Sequence, residues 1–121
     1  MALEAGIEAT HEFDVDGPLL TDVAGTLGFA VLSTPGMITM MERTAAMLVY
    51  PHLPPGRTTV GFEVCEKHVR SVSEGARCLA RVRLREVREE RKLLFDVEVV
   101  DIDGRTIGIG THERRMIHAR V

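Results

Sequence analysis

Three residues of the sequence carry side chains that could act together on an acyl group: Thr34, Glu42 and His68. Cleavage of such a group needs an activated oxygen nucleophile and support for the oxyanion that develops. A carboxylate can attack or activate water, a hydroxyl can attack or position, and an imidazole can move a proton. Each residue also has an ordinary structural explanation, so its surroundings must be weighed.

Glu42 lies in an apolar stretch between Met41 and Ala45. A carboxylate in such surroundings is costly unless it is paired or protonated, and burial of this kind suits a general base or a nucleophile. The alternative is a glutamate on the one solvent-exposed stripe of a helix, paired to Arg43 or to another basic side chain.

Thr34 stands at a predicted helix start, where its hydroxyl would lie beside the positive end of the helix dipole. Free amide groups at such an end can also bind an oxyanion. The alternative role is that of the helix N-cap. Thr34 and Glu42 are about 12 Å apart along the axis if both are helical, and they point to a similar side.

His68 has the same parity as Val60, Phe62 and Val64, as expected of a strand that runs from the core to a pocket. Its alternative is a partly exposed strand histidine. Gly61 interrupts the same strand, and a glycine there often marks a bulge or a close backbone approach. The functional version is a backbone amide that faces a thioester carbonyl.

One helix and several strands must position these residues. Ser33-Thr34-Pro35 is typical of a helix start, and residues 36–50 are apolar on nearly all faces, which predicts a buried helix that ends before Pro54-Pro55-Gly56. Residues 7–15 predict a first strand, whereas 19–32 are ambiguous. After Gly56 the period changes to two, which predicts about four antiparallel strands with a hairpin turn at Asp103-Gly104.

This order predicts an α+β domain over residues 1–121, although periodicity alone does not select one fold of that class. The net charge of −3 gives no footprint for nucleic acid. No secretory signal or membrane-length apolar run is present, which predicts a cytoplasmic protein. Cys65 and Cys78 fit reduced thiols, and no metal motif, phosphate loop or nucleophile elbow occurs.

The stretch from Thr34 to Glu42, TPGMITMME, resembles the threonine-to-glutamate helix of the fluoroacetyl-CoA thioesterase family. The spacing from Glu42 to His68 is also similar to that of the family, and Gly61 matches the glycine that approaches the thioester. The terminal segment Gly110-Thr111-His112-Glu113-Arg114 looks like the terminal strand of the family.

The resemblance implies a hotdog fold, in which a curved antiparallel sheet of about five strands wraps one long buried helix. It implies a homodimer, and a dimer of dimers stays open. It implies an acyl-CoA substrate, with coenzyme A part of the substrate and no separate cofactor or metal. By this resemblance Thr34, Glu42 and His68 are catalytic, and Gly36, Gly61 and Arg114 contact the substrate.

Two other functions stay open at this point. One is a hotdog hydratase or dehydratase that acts on acyl-CoA, and the other is an acyl-CoA-binding module without catalysis. The region before Thr34 differs from the aromatic lid of the fluoroacetate-specific enzyme, because it carries Gly25, Gly28 and Phe29 as its one aromatic residue. An acyl group other than fluoroacetyl is therefore expected.

Overall fold

The change of hydrophobic period after Gly56 marks the boundary between the helix and most of the sheet. The computed structural model describes residues 3–119, and the predicted domain bounds 1–121 include Met1, Ala2, Arg120 and Val121, which lie outside the described residues. The regular elements follow one another as β1 (Glu8–Asp14), a 3-10 turn (Gly17–Leu19), β2 (Leu20–Thr21), β3 (Val31–Leu32), α1 (Thr34–Val49), a 3-10 turn (Tyr50–His52), β4 (Arg57–His68), β5 (Arg77–Arg88), β6 (Lys92–Asp101) and β7 (Thr106–His118).

Five strands form one antiparallel sheet in the order β1-β5-β6-β7-β4, and α1 packs against it. This is the predicted hotdog arrangement, with four strands after the helix as expected. The ambiguous stretch 19–32 holds a 3-10 turn and the small β2–β3 ribbon. Strands β1 and β4 are the two edges of the sheet, so among residues 3–119 each has one side without a strand partner.

Helix α1 buries one face against the sheet and keeps the opposite face exposed. The side chain of Ser33 caps its first turn, and Pro35 occupies the tolerated position there. Pro51 follows in the short turn where the helix ends. The buried positions of the helix recur at helical spacing and are Gly36, Met37, Met40, Met41, Thr44, Ala45, Leu48 and Val49.

The inner face of the sheet supplies the rest of the core, because alternate residues of each strand point toward the helix. In β5 these are Cys78, Ala80, Val82 and Leu84, all at most 3% exposed. Cys78 behaves as a packing residue: burial and then the nearby Asp101 raise the pKa of its thiol to about 11. Cys78 and the exposed Cys65 are both free thiols. Within residues 3–119, no helix is long and apolar enough to cross a membrane.

Strands β4 and β7 lie close together where Gly110 faces Glu66. A Cβ atom on Gly110 would overlap the carbonyl oxygen of Cys65 and would lie 2.7 Å from the Cα atom of Glu66. Both neighbours are backbone atoms, which cannot move aside as a side chain could. The glycine is therefore required by the spacing of this strand pair.

We expect Gly110→Ala to lower the free energy of unfolding by about 1–3 kcal/mol, because the added methyl group forces the two strands apart. Gly28→Ala is the matched control: nothing lies within 4 Å of a Cβ atom there, so we expect a change of about 0.5 kcal/mol or less. Urea unfolding of both variants measures the difference. Equal unfolding midpoints for the two variants would contradict the close approach.

Candidate active site

The start of α1 is held by Ser33. Its Oγ accepts a hydrogen bond from the amide of Gly36 at 2.8 Å and donates one to the carbonyl oxygen of Leu19 at 3.1 Å. Ser33 is therefore the N-cap. The alternative role of Thr34 as the N-cap is wrong, because its neighbour already fills that position and leaves the threonine hydroxyl free for another partner.

That partner is His68. The Oγ1 atom of Thr34 lies 2.9 Å from Nδ1 of His68, within hydrogen-bonding distance. Thr34 is exposed at the first turn of α1, and His68 ends β4 with its other ring nitrogen, Nε2, buried and without a hydrogen-bond partner among residues 3–119. A hydroxyl bonded to an imidazole is the arrangement in which the ring can take or return the hydroxyl proton.

Glu42 lies two turns further along α1 and faces strands β4 and β7. Its side chain is 40% exposed, and its Oε2 atom lies 3.7 Å from Nη1 of Arg114. The alternative prediction placed Glu42 on a solvent-exposed stripe of the helix beside a basic side chain. The structure agrees with it in part, but the basic side chain is Arg114 rather than Arg43. The carboxylate lies at the margin between the core and solvent, not fully inside.

Gly61 gives Glu42 the room it occupies. A Cβ atom on Gly61 would lie 2.5 Å from Oε2 of Glu42, so a larger residue would displace the carboxylate. The register of β4 against β7 shifts between Gly61 and Glu63, which places a β-bulge at this point. The sequence prediction of a bulge or close approach at this glycine agrees with the structure.

Arg114 is almost entirely buried, with 7% of its surface exposed. Its Nε donates to Oγ1 of Thr59 at 2.8 Å, and its Nη2 donates to the carbonyl oxygen of Thr59 at 3.0 Å. Burial lowers the pKa of this guanidinium, and the charge of Glu42 opposes that shift. Only the Nη1 edge faces Glu42 and Gly61, so any contact of Arg114 with a substrate would involve that edge.

His112 completes this cluster, although it is not among the site residues predicted from the sequence. Its Nε2 atom lies 3.2 Å from Nη1 of Arg114, its Nδ1 atom lies 2.8 Å from the carbonyl oxygen of Glu63, and its ring stacks on Phe95. The signal that could have found it is parity: His112 and Arg114 are two residues apart on β7 and share its inner face.

Gly36 serves the packing of the helix start. A Cβ atom there would lie 2.5 Å from the carbonyl oxygen of Leu19, so the glycine allows the chain before α1 to approach the helix. Its amide is already taken by Ser33. The predicted contact of Gly36 with substrate stays a prediction, and its amide would first have to leave the cap.

The predicted residues therefore form two groups, Thr34 with His68 and Glu42 with Gly61 and Arg114. Among residues 3–119, no hydrogen bond or ion pair joins Glu42 to Thr34 or His68. Two surface cavities are lined by residues outside these two groups. One, of about 430 Å³, lies on the outer face of the sheet, and the other, of about 740 Å³, lies beside the β6–β7 turn. Thr34 and the Glu42 carboxylate are both accessible to solvent in the single chain.

No group of three or more histidine, cysteine, aspartate or glutamate side chains in the described part of the chain has the geometry to hold a metal ion. The chemistry that the two groups can perform is proton transfer by Thr34 and His68, and attack or water activation by a carboxylate held against a fixed cation.

Comparison with known proteins identifies the family to which the sequence is similar. The model of the fluoroacetyl-CoA-specific thioesterase family matches residues 19–120. The fluoroacetyl-CoA thioesterase of Streptantibioticus cattleyicolor is 35% identical over 89 residues, which cover 73% of this chain and 62% of that protein. The aligned segment thus spans less than two-thirds of the length of this curated relative.

Solved structures agree with the sequence comparison. The structure of the fluoroacetyl-CoA thioesterase FlK is 28% identical, with a TM-score of 0.87, and the alignment covers 98% of this chain and 90% of that one. A phenylalanine-to-alanine mutant of FlK, solved in complex with fluoroacetate and CoA, is 29% identical with a TM-score of 0.85, and 96% of each chain is covered. The family match extends over most of the sequence and includes α1 and strands β4–β7; the chain belongs to the fluoroacetyl-CoA-specific thioesterase family.

Proposed function

We propose that this protein hydrolyses an acyl-CoA thioester to a free acid and coenzyme A, with Thr34, Glu42 and His68 as the catalytic residues. The observation that carries the proposal is the 2.9 Å contact between Thr34 and His68 at the start of α1, in a chain that belongs to a thioesterase family. The FlK mutant in complex with fluoroacetate and CoA shows that a relative of the same fold binds the two products of such a cleavage.

The reaction breaks the bond between the acyl carbon and sulfur, and water supplies the oxygen of the new acid. Glu42 attacks the acyl carbon or activates the water that does so, and Thr34 positions the reacting group or attacks in its place. Where Thr34 attacks, its oxygen bonds to the acyl carbon, its proton passes to Nδ1 of His68 and from there to the thiolate that leaves, and water then cleaves the acyl ester on Thr34. Where Glu42 activates water, the carboxylate takes the proton of the water and His68 supplies the proton for the thiolate. Coenzyme A is part of the substrate, so the reaction needs no further cofactor.

Arg114 and Gly61 stand beside the carboxylate at the end of the site where the acyl carbon would lie. The Nη1 edge of Arg114 belongs to a buried guanidinium, and a buried cation stabilises a developing oxyanion more strongly than one exposed to water. Because its other nitrogen atoms are bonded to Thr59, we assign Arg114 to the acyl end rather than to the phosphates of coenzyme A.

The acyl group is proposed to differ from fluoroacetyl. The segment between β2 and β3 offers one aromatic side chain, Phe29, which is 62% exposed. The same segment contains Gly25 in a left-handed conformation, with nothing within 4 Å of a Cβ atom. A loop of this kind lacks the aromatic lid on which selection of fluoroacetyl was expected to depend.

The two alternative functions make different use of the same residues. A hydratase or dehydratase would use His68 on an enoyl-CoA and would change enoyl absorbance without releasing thiol. A binding module would tolerate loss of the Thr34 hydroxyl. The contact between Thr34 and His68 favours hydrolysis over both, because it prepares a hydroxyl and a proton acceptor in one place.

We further propose that the protein works as a homodimer in the cytoplasm. Strand β4 is an edge of the sheet, and its Val60 and Phe62 are 44% and 57% exposed. Met47 and Tyr50 of the adjoining helix end are also exposed and line an apolar cavity of about 350 Å³. A second copy that covers this surface would close the open site, and pairing of such dimers stays a prediction.

We expect Glu42→Gln to lower kcat by about 100-fold or more while the protein still folds and binds CoA esters, because the amide neither attacks nor accepts a proton. Thiol release under saturating substrate measures kcat, and circular dichroism checks folding. Glu74→Gln, at an exposed loop position, is the control and should keep wild-type activity. Wild-type turnover in Glu42→Gln would remove Glu42 from the site.

We expect Thr34→Val to lower kcat by about 100-fold or more, because valine has no hydroxyl to share with His68. Thr34→Ser keeps the hydroxyl and should remain within about tenfold of the wild type. Thr39→Val makes the same change at an exposed position of the same helix and controls for helix propensity. Equal rates for the valine and serine variants would show that the hydroxyl takes no part.

Because Thr34 and Glu42 of one chain are about 12 Å apart along α1, we expect each site to combine Thr34 and His68 of one copy with Glu42 of the other. Co-expression of Thr34→Val and Glu42→Gln chains with different tags then restores one intact site per mixed dimer, or roughly a quarter of wild-type activity in a statistical mixture. A mixture as inactive as either parent would show that all three residues of a site belong to one chain.

A further inference from the structure

His112 lies beneath the pair formed by Arg114 and Glu42, and the catalytic steps proposed above do not use it. It is 2% exposed, so its imidazole is removed from solvent. Buried polar side chains are costly unless their hydrogen-bonding atoms are satisfied. Both ring nitrogens of His112 have partners, and these partners belong to the two features that surround Glu42.

The direction of both hydrogen bonds follows from chemistry. A guanidinium can only donate, so Nη1 of Arg114 donates to Nε2 of His112 at 3.2 Å. Nε2 must then carry the lone pair, and the ring proton must lie on Nδ1, which donates to the carbonyl oxygen of Glu63 at 2.8 Å. The contacts thus define one tautomer of a neutral imidazole.

The two hydrogen bonds of His112 reach different parts of the site. The Glu63 carbonyl belongs to the β-bulge that also contains Gly61, and Gly61 provides the space for the Glu42 carboxylate. The Nη1 atom of Arg114 is the one that faces Oε2 of Glu42 at 3.7 Å. The imidazole of His112 therefore hydrogen-bonds both to the bulge that makes room for the Glu42 carboxylate and to the Arg114 guanidinium that pairs with that carboxylate.

We propose that His112 is a positioning residue for thioester cleavage, because it fixes the Nη1 edge of Arg114 against Glu42 and anchors the bulge that carries Gly61. The inference rests on the proposed function. Thr59 holds Nε and Nη2 of the same guanidinium, so His112 and Thr59 together determine its orientation.

The imidazole has to remain neutral for this role. A second ring proton would place two donors, Nε2–H and Nη1–H, and two positive charges against each other. The pKa of His112 lies below its ordinary value, mainly because of burial, and the charge of Arg114 lowers it further. The bond to the Glu63 carbonyl and the charge of Glu42 act in the opposite direction. These groups face His112 from β4, β7 and α1, and the uncharged ring of Phe95 packs on it from β6.

Two amide substitutions test the role in a matched way. The side-chain oxygen of His112→Gln reaches the place of Nε2 and can still accept from Arg114, so we expect kcat within about tenfold of the wild type. The shorter His112→Asn keeps a donor for Glu63 but cannot reach Arg114. We expect it to lower kcat by up to about 100-fold and to change KM by less than about threefold, because only the reacting end is misplaced.

His118→Asn is the control, since His118 lies exposed on the same strand. Loss of kcat in His112→Asn but not in His112→Gln or His118→Asn supports the proposal, provided that the fraction of folded protein is the same. Equal kcat for the asparagine and glutamine variants of His112 would overturn it, because loss of the contact with Arg114 would then have no effect on turnover.

Nitrogen NMR of the wild-type protein gives a readout that does not depend on turnover. We expect His112 to be neutral at about pH 7, protonated at Nδ1, with a pKa below the ordinary histidine value of about 6.5. The opposite tautomer, or a charged ring, would overturn the proposal even if the asparagine variant failed to fold. A wild-type protein with this tautomer that releases no thiol from any acyl-CoA ester would instead overturn the proposed function.

Discussion

The arrangement of the candidate site depends on one constraint: a guanidinium buried in the core must have every side of its charge satisfied. Arg114 is 7% exposed, and an unpaired cation at such a position would be strongly unfavourable. Thr59 and His112 accept hydrogen bonds from all three of its nitrogen atoms, and Nη1 also faces Glu42. The carboxylate on α1 is thereby held toward β4 and β7 rather than left to move in solvent.

The same constraint explains features of the sheet that would otherwise look like irregularities. At the bulge in β4 stands Gly61, which has no side chain. It therefore leaves free the place that the Glu42 carboxylate occupies. The bulge lies on an edge strand, where a break in the ladder disturbs one neighbour only. The bulge therefore disturbs the sheet little and leaves a defined position for the carboxylate of Glu42.

Much of this structure could be predicted from the sequence. The helix start at Ser33-Thr34-Pro35 and the change of period after Gly56 gave one helix and four later strands, as observed. The identity of the N-cap could not be predicted, because Ser33 and Thr34 both carry a suitable hydroxyl, and the contact of Ser33 with Leu19 decides between them.

The site was harder to predict than the fold, for a physical reason. Glu42, His112 and Arg114 meet through the register of β7 against β4, which joins residues some fifty positions apart and is set by the bulge rather than by local pattern. The parity that puts His112 and Arg114 on one face is visible in the sequence, but what that face contacts is not. Thr34 and His68 were assigned to one site by the family resemblance, and the structure places them in contact.

The central claim is that this surface cleaves thioesters, and release of free thiol by the purified protein is its most direct test. The assay should cover short, branched and aromatic acyl-CoA esters, with fluoroacetyl-CoA among them and enoyl absorbance followed in parallel. We predict thiol release from at least one ester, with fluoroacetyl-CoA not the best of them, and no change in enoyl absorbance. No thiol release from any ester, whether or not the protein binds them, would contradict the account.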